Sequence, residues 1–331
     1  MSGKKINSMI VGTGHYLPKK VVTNQDLEKM IDTSDEWITK MVGIKQRHYV
    51  GDSGEVTSDL ATNAARIAIE DAGLTPDDID AILLGTVSGD MTFPSTAIFV
   101  QKKLGAKNAT AMDISAACTG FIYGLEIADG FIASGKYKNV LVIGVEILTS
   151  LLNMEDRSTA VIFGDGAGAA VLSASDGERG ILGSYTKSDG SLAELLWSKG
   201  GGTYENADPS DIENRERMIR MEGNKVFKHA VRAMIDSADN ALERAGMTGE
   251  NIDLLIPHQA NLRIIDAIAK RVNLTGEKVF VNLDKVGNTS AASIPIAIDQ
   301  ARKSGRLNKG DNLLIAAFGG GFTWGGAVIK M

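Results

Sequence analysis

Short unbroken apolar runs alternate along this chain with stretches whose apolar positions recur every three to four residues, the pattern of buried strands separated by amphipathic helices. Residues 68–84 (AIEDAGLTPDDIDAILL) show the unit: the end of an amphipathic helix, a turn and a buried strand. The unit occurs twice. Residues 241–257 (ALERAGMTGENIDLLIP) align with it without gaps at an offset of 173, and seven of the seventeen pairs are identical. Further on, Ser134-Gly135-Lys136 matches Ser304-Gly305-Arg306 at an offset of 170, and NVLVIGV from Asn139 matches NLLIAAF from Asn312 at 173, so a short insertion separates the copies. Helix, strand, helix, strand, written twice, predicts an α/β protein of duplicated βαβ halves, with right-handed crossovers and a largely parallel sheet covered on both faces. The join is expected near residues 172–181, dividing the chain into residues 1–174 and 175–331. From there to residue 217 the sequence is polar and Gly-rich, and excursions at 199–203 and 206–214 are expected to loop over a site.

Composition narrows the function. A chain of 331 residues can bury a large core, and 44% hydrophobic residues, 23% charged residues and 37 glycines describe a globular protein rich in tight turns. A net charge of −6 and a pI near 5.4 exclude a general nucleic-acid binder, which needs excess cations to neutralise phosphates. No run of about 18 apolar residues is present, and residues 1–20 lack the apolar core of a secretory signal. No membrane span and a cytoplasmic location are therefore expected. A single cysteine excludes an intrachain disulfide and any cysteine-rich metal site.

That cysteine, Cys118, follows a strand candidate in DISAACTGF and opens a long apolar helix. A helix N-terminus favours the thiolate, the nucleophilic form, although lone cysteines are also commonly inert buried hydrophobes. Adding the offset of 170 to Cys118 reaches Asn288, in VGNTSAASIP, a second small-residue turn opening a helix. Two helix starts related by duplication should meet near the pseudo-twofold axis. His258, in IPHQANLRI, directly follows a buried strand, where ligand sites gather in open α/β sheets, or else is a satisfied structural histidine. His15, His48 and His229 have no such setting, and an exposed position or an ordinary hydrogen bond is the reading for each; no spacing among the four suggests a metal. Gly164-Asp-Gly-Ala-Gly168 lies between two strand-like runs, 160–163 and 169–172, and opens no helix, so it is no dinucleotide fingerprint. The glycines of residues 318–326 either let backbone N–H groups approach a reacting carbonyl or form a tight turn.

Over essentially its whole length the sequence resembles the β-ketoacyl-acyl-carrier-protein synthase III family. The matching stretches are TSDEW at 33–37, ISAACTGF at 114–121, FGDGAGAAVL at 163–172, PHQANLRI at 257–264, GNTSAAS at 287–293 and FGGGFTWG at 318–325. The resemblance implies a thiolase-like fold, a five-layer αβαβα sandwich working as a homodimer, with Cys118, His258 and Asn288 as the catalytic triad. In that family the cysteine takes an acyl group from acyl-CoA, and malonate carried on acyl-carrier protein loses carbon dioxide to give the carbanion that attacks it. The product initiates fatty acid synthesis, and acetyl-CoA is the expected primer. The chemistry suits these residue types: a thiolate is both nucleophile and leaving group, and an imidazole and an amide can each donate to a developing oxyanion. The backbone N–H groups of Cys118 and Gly320 are expected to receive the acyl carbonyl, and no metal or redox cofactor is expected.

The same resemblance assigns Trp37 to the CoA adenine, Arg157 to its nucleotide end, Asn224 and Asn261 to pantetheine, with Ala260 beside them. Phe163 is assigned to the acyl pocket and Phe93 to the pocket of the partner subunit. For the acidic carrier protein it assigns Lys228, Arg263, Lys270 and Arg271, together with the segment Gln259, Ala260, Asn261 and Leu262. In one respect the chain departs from the family: Met41, next to Lys40, stands where an arginine is common, which leaves binding of the CoA nucleotide open, while primer size depends on packing around Phe93 and Phe163. A starter synthase of quinolone or polyketide metabolism would use the same triad. A thiolase would need a second cysteine, and a papain-like hydrolase a different motif around its cysteine.

Overall fold

The computed structural model describes residues 7–200, 203 and 218–331, so the excursion expected at 206–214 lies outside the described residues. In chain order the first half supplies β1 (Ser8–Tyr16), β2 (Lys20–Thr23), α1 (Asn24–Glu28), α2 (Asp35–Val42), β3 (Gln46–Tyr49), α3 (Thr57–Asp71), β4 (Ala81–Gly85), α4 (Thr96–Leu104), β5 (Thr110–Ile114), α5 (Gly120–Ala133), β6 (Val140–Ile147), α6 (Arg157–Ala160) and β7 (Asp165–Ala174). The second supplies β8 (Gly180–Ser188), β9 (Leu196–Trp197), β10 (Arg220–Met221), α7 (Gly223–Ala245), β11 (Leu254–Pro257), α8 (Leu262–Arg271), α9 (Leu283–Val286), α10 (Ser293–Lys303), β12 (Asn312–Gly319) and β13 (Thr323–Lys330).

Two main sheets result, ordered β1-β7-β6-β4-β5 and β11-β12-β13-β8. The repeat is visible in their registers: Ala81 lies opposite Val140 and Leu254 opposite Leu313, both parallel pairs. The sheets are nonetheless mixed, which corrects the expectation of a largely parallel one. β7 runs antiparallel to both β1 and β6, and β13 to both β12 and β8. In the second sheet the physical reason is loop length, since β12 returns as β13 through three residues, far too few for a crossover.

Strand β6 is buried on both faces, which explains its unbroken apolar run. Val140 and Val142 face one cluster, Leu141, Ile143 and Val145 the other. On the outer face of the first sheet pack α3 and α4, through residues such as Leu60, Ala64 and Val100. On the outer face of the second pack α7 and α8, through Val226, Met234 and Ile268. Between the sheets lie α5 and α10, where Phe121, Leu125, Ile294 and Ile298 meet Leu83 and Val142 from one side and Ile256 and Ile315 from the other. The outcome is the five-layer αβαβα sandwich. Glycine permits the close approach at its centre: a Cβ on Gly144 of β6 would stand 2.1 Å from the Ala291 carbonyl oxygen.

The glycines of 164–168 belong to this seam. Residues 160–163, read as strand-like, are instead the end of α6 and the turn after it, and β7 itself begins at Asp165. Gly168 faces the start of α10, where an added Cβ would lie 2.5 Å from the Ile296 nitrogen. Its role is packing, consistent with the rejection of a nucleotide fingerprint.

Polar ties fix α10 to the first half. Asp299 is buried and accepts hydrogen bonds from Thr13 Oγ1 (2.8 Å), Lys303 Nζ (2.8 Å) and His15 Nδ1. Burial opposes its charge, but the bonds from His15, Lys303 and Thr13 outweigh that and hold the carboxyl at about 2. A carboxyl depressed in the folded state contributes stability that is present above its ordinary pKa and lost as pH falls toward the folded value. Asp299→Asn is therefore expected to lower unfolding free energy by about 2 kcal/mol at neutral pH. In denaturant titrations the gap from the parent should close as the pH falls from 4 toward 2. A gap that stays constant with pH contradicts this account.

Candidate active site

Cys118 is placed by the end of β5 and a tight turn, Ala117–Thr119, that leads into α5. The turn is strained: Ala117 has φ of 45°, a conformation rare outside glycine. Behind it lies the end of β12, where a Cβ on Gly319 would stand 2.7 Å from the Cys118 nitrogen. The corresponding turn of the second half, Ser290–Ala292, carries the same strain at Ser290, with φ of 49°.

These paired turns correct the mapping read from the sequence. Helix α5 has 14 residues and α10 has 11, so the three-residue difference falls within the helices. At the turns the offset is still 173, and Cys118 corresponds to Ala291; Asn288 corresponds to Ser115. The turns do converge, and Asn288 reaches the site from two residues upstream of its turn.

His258 extends the pairing of β11, its N–H donating to the Ala316 carbonyl at 2.8 Å. Its Nδ1 lies 2.6 Å from Ser293 Oγ, which leaves Nε2 for another partner. Only 2% of its surface is exposed, and burial pushes its pKa down to about 3, so the ring is neutral. Asn288 is oriented by its own backbone: its Oδ1 accepts from the Ser290 N–H at 2.8 Å, which leaves the Nδ2 hydrogens to donate elsewhere.

Cys118, His258 and Asn288 line one cavity of about 420 Å³. Cys118 keeps part of its surface in this cavity, yet protein surrounds the sulfur on its other sides. Desolvation pushes the thiol up to about 12; the Ser290 hydroxyl beside it acts in the opposite sense, and the Glu146 carboxylate adds to the rise. The helix start favours the thiolate, as expected, but burial acts against it and outweighs the dipole of a helix that begins two residues later, so the thiol is the resting form.

Trp37, Phe163, Asn224, Ala260 and Asn261 line the same cavity. The Arg157 guanidinium lies over the Trp37 ring at 5.1 Å. Asn261 also has a local task, capping α8 through the Arg263 N–H and donating to the Met41 carbonyl at 3.1 Å. Met41 itself lines the cavity. Gly320 faces Leu196, with Gly319 the glycine against Cys118. Phe93 is 85% exposed and is absent from the cavity wall of its own chain.

Of the residues assigned to a carrier protein, Gln259 is corrected. It is 1% exposed, and its amide is occupied by the carbonyls of Pro257 and Phe280 and by the Asn282 N–H. It can hold the loop but cannot touch a docked protein. Lys228, Leu262, Arg263, Lys270 and Arg271 are exposed; Arg263 lies over Phe227 at 4.8 Å, and Arg271 pairs with Asp239 at 2.7 Å. Ser290, Ser293 and Glu146 were not singled out from the sequence. The signal for Glu146 was present, an acid at the end of an otherwise apolar run.

Comparison with known proteins finds relatives over nearly the whole chain. Residues 112–190 match the 3-oxoacyl-(acyl-carrier-protein) synthase III profile, and residues 242–331 match the profile of its C-terminal part. The β-ketoacyl-(acyl-carrier-protein) synthase III of Caldanaerobacter subterraneus subsp. tengcongensis is 54% identical over 327 residues, covering 99% of this chain and 98% of that protein. The crystal structure of 3-oxoacyl-(acyl-carrier-protein) synthase III from Aquifex aeolicus is 50% identical with a TM-score of 0.91, covering 98% of this chain and 100% of that one. A priming β-ketosynthase of a polyketide pathway superposes with the same TM-score of 0.91 at 33% identity, covering 100% of this chain and 98% of that one. Identity of this extent, on a thiolase-like fold that carries Cys118, His258 and Asn288 around one cavity, places the chain in the 3-oxoacyl-(acyl-carrier-protein) synthase III family.

Proposed function

We propose that the chain joins an acyl-CoA primer, acetyl-CoA in the first instance, to malonyl-acyl-carrier protein by decarboxylative condensation, initiating fatty acid synthesis. The observation that carries this reading is the convergence of a thiol, a neutral imidazole and an oriented amide on one cavity. In the first half-reaction the Cys118 sulfur attacks the thioester carbonyl and CoA leaves, giving an acyl-enzyme. The backbone N–H groups of Cys118 and Gly320 are the donors we assign to that carbonyl. Malonyl-acyl-carrier protein then enters and loses carbon dioxide. Negative charge grows on its thioester oxygen, where His258 Nε2 and Asn288 Nδ2 donate hydrogen bonds that need no reorganisation. The carbanion attacks the acyl group, and the Cys118 thiolate departs.

We assign Trp37, Arg157, Asn224, Ala260 and Asn261 to the CoA and pantetheine arms, and Phe163 to the acyl wall. The exposed Lys228, Leu262, Arg263, Lys270 and Arg271 are our docking surface for the acidic carrier protein. The protein acts as a homodimer in this reading, which the exposure of Phe93 among Val87, Met91 and Ile98 supports, since such a side chain wants a partner surface. None of the described helices is long and apolar enough to cross a membrane, and we take the enzyme to be cytoplasmic. The thiol and the two donors supply the chemistry, so no metal or redox cofactor is assigned. A second reading, priming of a polyketide by the same steps, is favoured by Met41 in the cavity wall; acylation rates across a series of acyl-CoAs separate the two.

Mixing the protein with acetyl-CoA should raise its intact mass by one acetyl group, about 42 Da, located on Cys118. Unchanged mass with acetyl-CoA and with longer acyl-CoAs would sink the proposal.

A further inference from the structure

Glu146, near the end of β6, is 0% exposed, and among the described residues it makes no ion pair. All its partners are neutral. Oε2 accepts from Thr86 Oγ1, the Val87 N–H, the Ser88 N–H and Ser88 Oγ, at 3.1, 3.1, 3.1 and 2.5 Å. Oε1 accepts from Ser290 Oγ at 3.0 Å. A buried carboxylate without a cation is costly and calls for a reason to exist. Ser290 suggests one. Its backbone is held at φ of 49° with its N–H on Asn288, and its hydroxyl, which donates to Glu146 at 3.0 Å, also acts on the Cys118 thiol, whose turn packs against its own. A hydroxyl can accept a proton on one side while it donates on the other.

We propose that Glu146, acting through the Ser290 hydroxyl, takes up the Cys118 proton when the acyl-enzyme forms. The Cys118 S–H proton passes to Ser290 Oγ as the Ser290 proton passes to Glu146 Oε1. The sulfur keeps its electron pair, forms the bond to the acyl carbon and drives out the CoA thiolate. The proton held on Glu146 returns through Ser290 to that thiolate, which leaves as the CoA thiol, and the carboxylate is restored. Thiol and acyl-CoA have become acyl-enzyme and CoA thiol, with nothing else consumed.

Charge bookkeeping favours this route. Ionising Cys118 to solvent would leave two negative charges side by side in a buried cluster, whereas transfer to Glu146 leaves one throughout. Burial, opposed by bonds from Ser88, Val87, Ser290 and Thr86, raises Glu146 to about 7, so it holds a proton far better than His258 at about 3. The groups that bond Glu146, from the segment after β4 and from the Ser290 turn, are uncharged; β7 sets Gly166 opposite it, with the Asp165 carboxyl opposite the next residue and bonded instead to Val50 and Thr149, and Cys118 is the titratable group that acts with it.

The proposal rests on Cys118 being the acylated residue, so the test pairs two reactions: single-turnover acylation by acetyl-CoA, and alkylation by iodoacetamide, which needs the thiolate and no acyl donor. Glu146→Gln and Ser290→Ala are compared with the parent from pH 6 to 9. If Glu146 were a spectator, Gln would remove a repelling charge and quicken both reactions. The relay predicts the opposite sign, a slowing of both by about 10²-fold and loss of the rise through pH 7. Ser290→Ala leaves Glu146 its four other hydrogen bonds, so a slowing there is not a folding defect. Parent-like or faster rates in either variant overturn the relay. Absence of acylation in the parent, with alkylation still responding to both variants, overturns the condensing reaction and leaves the relay standing.

Discussion

Cys118→Ser is expected to lower acylation and condensation by about 10³-fold or more, because the variant keeps the geometry and loses the reactive atom. A hydroxyl in this cavity faces the same desolvation that already raises the thiol to about 12, and starts from a much higher intrinsic pKa. It would also form an ester, whose alkoxide is a poor leaving group when the carbanion attacks. Oxygen for sulfur barely changes volume, so thermal unfolding should match the parent. The decisive measurement is the intact mass after acetyl-CoA together with the rate of product formation. A variant retaining a tenth of the parent rate would show that sulfur is not the nucleophile.

His258→Ala should separate the half-reactions. Acyl transfer onto Cys118 is expected to survive, since the proton of the thiol leaves toward Ser290 and Glu146. Decarboxylation of malonyl-acyl-carrier protein, followed as carbon dioxide release, should fall by about 10²–10³-fold with the loss of one oxyanion donor. Because His258 is neutral down to about pH 3, the parent decarboxylation rate should show no inflection near pH 6.5. The same depression makes the fold less stable as acid charges the unfolded chain's imidazole below pH 6.5, so rates are best compared between pH 7 and 8. Equal loss in both half-reactions would assign His258 a different task.

The elements most legible in the sequence were those buried on both faces. The runs that became β4 and β11 were found twice because an unbroken apolar stretch between turn residues has one reading. Strand direction was not legible, since β7 and β13 carry the same apolar letters as their parallel neighbours; the three-residue loop before β13 requires its reversal, whereas the connection before β7 is long enough for either direction. The three catalytic candidates stood out because each sits at the end of an element. Their register did not: a three-residue difference can lie anywhere between matched motifs, and only the helix lengths show that it falls after the turn. Gln259 reads as a surface amide, yet its two ends satisfy backbone groups that would otherwise be orphaned. Ser290 and Ser293 were quoted as part of a motif without individual roles, because a hydroxyl acquires one only from what lies opposite.

Helix α10 belongs to the second repeat but is wedged against β1 and β7 of the first, with Asp299 locked to Thr13 and His15. What began as two copies of one unit can therefore no longer be taken apart. A chain severed at residues 175–179 would leave the nucleophile on a fragment whose sheet kept α5 but had lost α10 from its inner face, and whose sulfur had lost Ser290. The two halves should therefore unfold as one cooperative unit, with no stable intermediate in which either stands folded alone.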